Sequence, residues 1–107
     1  MALDAAVYRD DDCEHQLGHV FLGNISAIAD VRQELKHLLA SDSLLLTRVV
    51  YDGTHTGDSL ASAELPELLA EISVAEQQRP SPHTLEFLRK LRQIAQVAQQ
   101  HRRPLMF

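Results

Sequence analysis

Apolar positions recur along this chain with two different periods, and the periods divide it into elements. Leu3 to Tyr8 is a short apolar run halted by Arg9-Asp10-Asp11-Asp12, the length and terminator of a strand entering an acidic turn. Leu17 to Leu22 alternates, with Val20 and Leu22 toward one side and His19 and Phe21 toward the other, between glycines 18 and 23. That pattern predicts a second strand. Ile28, Val31, Leu35, Leu38 and Leu39 recur at helical spacing and predict a first helix, ending near Ala40. Asn24 or Ser26 caps it, because either side chain offers an oxygen to an orphan N–H of the first turn.

Leu44 to Tyr51 is aliphatic and β-branched on both faces except at Arg48, which predicts a central strand covered on both sides. The polar segment that follows, Asp52 to Ser59, holds two glycines and reads as a loop. Leu65, Leu68, Leu69 and Ile72 predict a second helix from near Ser62, with Pro66 in its first turn and Glu64, Glu67, Glu71 and Glu76 on its remaining surface. Arg79-Pro80-Ser81-Pro82 breaks it. Ser81 then caps a third helix, whose inner face is Phe87, Leu88, Leu91, Ile94, Ala95 and Ala98. Past Pro104, the apolar Leu105-Met106-Phe107 predicts a docked end, as a short edge strand. The expected fold is α+β: one small domain over residues 1–107, with a short sheet of about three to four strands packed against three helices.

Length and composition agree with one globular domain. The chain has 107 residues, 45% hydrophobic and 23% charged, too short for a barrel of roughly 250 residues and too apolar for a disordered segment. One cysteine, Cys13, allows no internal disulfide and suits a reducing cytosol. The start of the chain turns acidic without the basic, then apolar, pattern of a secretory signal, and no run approaches the roughly 20 apolar residues of a membrane helix. A cytoplasmic protein is expected, with no membrane partner.

Charge changes the picture more. The net −5 hides a split: residues 1–78 hold 14 acidic and 4 basic residues, residues 79–107 hold 1 acidic and 6 basic. Asp10, Asp11, Asp12 and Glu14, the glutamates of the second helix and the Asp52–Asp58 loop together predict a negative face that would steer a basic partner. The same face would repel nucleic acid, and the basic third helix is expected to pair with acids of its own fold.

No motif carries chemistry unaided. Gly57-Asp58-Ser59-Leu60 resembles the nucleophile motif of a serine esterase family, yet that family's late D-x-x-H is missing, Ala98 standing three residues before His101. Counted as a calcium loop from Asp52, the segment has Gly57 at position 6 but Ala63 where position 12 needs Glu. Cys13, His15 and His19 are spaced poorly for zinc, and no metal or other cofactor is expected. His55 between Asp52 and Asp58 would have its charged form favoured. The three side chains serve either as a clasp that orders the loop or as the acid–base group of a small enzyme or metal-dependent factor.

The stretch Val49-Val50-Tyr51-Asp52-Gly53-Thr54-His55-Thr56-Gly57-Asp58, followed by Leu65-Pro66-Glu67-Leu68-Leu69, resembles small bacterial proteins with a Y-x-G-T-H-x-G-D turn. These are similar to immunity proteins of polymorphic-toxin and type VI secretion systems. The resemblance implies a cytoplasmic protein, not an enzyme, that binds a cognate toxin and blocks its active site. On that reading the partner-binding residues are Asp10, Asp11, Asp12, Glu14, Tyr51, Asp52, His55, Asp58 and Phe107, meeting a basic cleft. A structural homo-oligomer, such as a homodimer joined through the apolar C-terminus and third helix, is a further alternative.

Overall fold

The computed structural model describes residues 2–10, 15–50 and 59–107. Four strands, β1 (Ala2–Tyr8), β2 (Gln16–Asn24), β3 (Ser59–Leu60) and β4 (Leu105–Met106), form one antiparallel sheet in the order β2-β1-β4-β3. Three helices, α1 (Ile25–Leu38), α2 (Leu65–Gln77) and α3 (Pro82–His101), complete the α+β fold. Both α1 and α3 pack on the sheet, and α2 packs on α3. A single core runs from Leu3 to Leu105, and the radius of gyration of 12.9 Å equals that of a domain of about 100 residues.

The alternation in β2 holds. Leu22 is buried and Val20 half-buried, while His19 and Phe21 are exposed. Bulges interrupt its pairing with β1 between Leu3 and Asp4 and between Val7 and Tyr8. At Gly18 the chains approach closely: a Cβ there would stand 3.0 Å from Ile94 Cδ1 and 3.5 Å from Val97 Cγ1, so α3 packs directly over the β2 backbone. Asn24 caps α1 by accepting the Ala27 N–H at 2.9 Å, and Ser81 Oγ accepts the Thr84 N–H at the start of α3.

Two expectations are corrected. Leu45–Val49 is not a strand but a helical turn, wound more widely than an α-helix, so that the Val50 N–H donates to the Leu45 carbonyl five residues back at 2.8 Å. Its first N–H groups are satisfied from afar: the Glu71 carboxylate on α2 accepts from Leu44 at 2.9 Å and Leu45 at 3.0 Å. Ser43 Oγ accepts from Leu46 at 3.3 Å. Capped this way, the turn buries Leu45 and Val49 on one side. The C-terminal strand is the second correction. β4 lies between β1 and β3, with Met106 beside both Ala6 and Ser59, so it is interior to the sheet rather than at its edge.

Candidate functional site

Arg48 stands just before residues 51–58 and holds the residues just after them. One guanidinium nitrogen donates to the Ser59 carbonyl at 2.8 Å, and the other meets Glu64 Oε2 at 3.1 Å. Glu64 Oε1 in turn accepts the Ala61 N–H at 3.1 Å. Val50 before that segment and Leu60 after it are fully buried. The two points that flank residues 51–58 are therefore anchored and joined by one side chain. Arg48 was legible only as the single charge in an apolar run; its partners were not.

Tyr51, Asp52, His55 and Asp58 lie outside the described residues, as do Asp11, Asp12 and Glu14. Phe107 is half-buried against the core, and the pairing of Ser59 with Met106 places it at the end of the sheet where the loop joins. Asp10 is half-buried at the opposite end of β1. There the Arg9 N–H donates to the His15 carbonyl at 2.7 Å, and Arg103 Nε donates to the Tyr8 carbonyl at 2.9 Å.

The glutamates expected on a continuous negative face are largely engaged within the fold. Glu71 caps the turn at Leu44 and Leu45, Glu64 holds Arg48, and Glu76 pairs with Arg92 of α3, which also donates to Ser73 Oγ at 3.1 Å. Glu67 remains exposed. The acidic surface that α2 offers to a partner is correspondingly small, and the basic side of α3 meets acids of the same chain at Arg92.

A fourth engaged acid was missed in the sequence. Glu34 of α1 accepts from the Ser81 N–H at 2.9 Å and the Ser81 hydroxyl at 2.8 Å, joining α1 to the start of α3. Hydrogen bonding by the Thr84 hydroxyl, then by the Ser81 backbone, holds its carboxyl below the usual range. A nearby signal was Ser81 itself, whose N–H no turn of α3 satisfies.

His15 and His19 are exposed, and His19 sits 3.5 Å from Asp4 on the outer face of the sheet. Among the described residues no group of His, Cys, Asp or Glu is arranged to hold a metal ion, and no helix is long and apolar enough to cross a membrane. Among the described residues, an open hollow of about 340 Å³ lies beside Arg32, Lys36, Ser41 and Leu46, and another of about 200 Å³ lies between the end of β2 and α3. Residues 51–58, with Tyr51, Asp52, His55 and Asp58 among them, are flanked on both sides by this anchored base. Comparison with protein-family models, curated proteins and solved structures yields no match to this chain.

Proposed function

We propose that this chain is a non-enzymatic cytoplasmic binding protein of the immunity type, which neutralises a bacterial toxin by placing the 51–58 loop in a positively charged active-site cleft. The observation that carries the reading is the Arg48 clamp on Ser59 and Glu64. A loop whose two ends are tied loses less conformational freedom when it binds, and preorganisation of this kind raises affinity without new contacts. The loop supplies suitable side chains: Tyr51 and His55 as anchors, Asp52 and Asp58 as charges that steer the encounter. Phe107, at the same end of the sheet, extends that surface with an apolar edge. The acidic residues Asp10, Asp11, Asp12 and Glu14 add long-range attraction to a basic partner.

Because α2 uses most of its glutamates internally, this reading concentrates recognition on the loop and not on a broad acidic face. Co-expression with the toxin domain encoded beside it tests the proposal. Cells producing the toxin survive with the native chain, and a stable complex is purified. A triple variant, Asp52→Asn, His55→Ala and Asp58→Asn, fails to protect although it folds. Protection that survives the triple substitution overturns the reading. So does loss of a chemical turnover, with folding intact, on His55→Ala alone.

A further inference from the structure

The two edges of the sheet are unlike. On one side, among the described residues, β3 pairs with β4 through Ser59 and Leu60, and the Arg48 guanidinium covers the Ser59 carbonyl. On the other, β2 runs for nine residues, Gln16–Asn24. Exposed edge strands are ordinarily blunted by lysine, other charges or proline, because their unpaired N–H and C=O groups recruit further strands. In a chain that is 23% charged, β2 holds no Lys, Arg, Asp, Glu or Pro. It also exposes Phe21 by 50%, and Ile25, just beyond its end, is exposed by 61%. Its two irregularities bracket residues 18–21 and leave that stretch regular.

We infer that β2 is a homodimer interface, at which two copies of the chain pair their β2 strands antiparallel into one eight-stranded sheet. Charge selects a second copy over a toxin with a basic cleft. The strand offers no acid to such a cleft, and the α3 residues flanking it, Glu86 and Lys90, are paired with each other at 3.8 Å. A second copy meets no like charge there, despite the net −5 of each chain. Symmetry supplies the register. A two-fold axis normal to the sheet keeps the faces aligned only if opposed residues share a face, and centring it on Val20 sets His19 opposite Phe21 of the partner subunit. Each exposed ring then gains a cross-strand neighbour. This interface differs from one through the C-terminus and α3, whose apolar groups, Leu105, Leu91 and Ile94 among them, are buried in the core.

Sedimentation equilibrium of the full chain, from micromolar to several hundred micromolar, tests the inference. The native chain gives twice its 12.0 kDa mass at high concentration. Phe21→Lys, a substitution at an exposed position that installs the usual edge guard, raises the dimer dissociation constant at least ~10-fold with an unchanged circular-dichroism spectrum. Amide exchange on the native chain provides a second reading free of any variant. The outward N–H groups of residues 18–21 exchange more slowly as concentration rises. A native chain that stays monomeric throughout overturns the inference, as does a dimer that Phe21→Lys leaves intact or exchange at β2 that ignores concentration.

Discussion

The Glu71 carboxylate of α2 accepts the backbone N–H of Leu44 at 2.9 Å across 27 residues of sequence. With Leu45 as its second donor at 3.0 Å, one side chain supplies what a cap normally supplies from within the same segment. The turn it caps leads through Arg48 into the loop on which recognition is proposed to rest.

Glu71→Ala therefore strips two part-buried N–H groups of their acceptor. The expected loss is about 2 kcal/mol, the scale of a charge-assisted cap. Urea denaturation reads it as a lower midpoint at unchanged slope. The same variant frees the turn that carries Arg48, so partner affinity falls with stability.

Arg48→Ala separates these two effects. Its ion pair with Glu64 is substantially exposed, with 43% and 31% of the two side chains accessible, and such pairs contribute about 0–1 kcal/mol. Thermal melting should accordingly move little. Affinity for the partner should fall by a larger factor, because the loop base loses its hold on Ser59. Equal, small effects on both would remove the clamp from the account.

Glu34 makes stability depend on pH in a defined direction. Its folded carboxyl is held below the ordinary carboxyl value of 4.5, so the folded state binds fewer protons than the unfolded state across that interval. The contribution is complete above pH 4.5 and is lost as pH falls through the lowered folded value. Urea denaturation of the native chain and Glu34→Gln across pH 7 to 3 should show a difference that is largest near neutrality and closes in acid. A difference that is constant with pH contradicts the assignment.

Much of this architecture was legible because it depends on neighbours in sequence. The stripes of α1, α2 and α3, the caps at Asn24 and Ser81, and the inward Val20 and Leu22 follow from spacing and from side chains within a few residues. What was misread depends on distant groups. An apolar run such as Leu44 to Val50 fits a strand or a buried helical turn equally well by period, and Glu71 decides between them. Position in the sheet is equally remote: β4 is interior because Ala6 and Ser59 flank Met106. Of the candidate site, Arg48 was legible only as a lone charge in an apolar run, and the internal use of Glu64, Glu71 and Glu76 was not legible at all, since each partner comes from another element or from beyond residues 51–58.

The interior place of β4 has a measurable consequence. Leu105 is fully buried, and Leu105→Ala should cost about 2–5 kcal/mol, as deletion of core methyl groups does. A residue on a frayed terminal edge would cost far less. Denaturant midpoints distinguish the two.

The central claim is that the 51–58 loop, on its Arg48-clamped base, holds a basic toxin. Calorimetric titration of the purified chain against the toxin domain encoded beside it, at low and at high salt, tests this most directly. The account predicts a one-to-one complex whose association weakens as salt rises and is abolished by joint substitution of Asp52, His55 and Asp58. Undiminished binding by that folded triple variant, or no binding by the native chain, would contradict it.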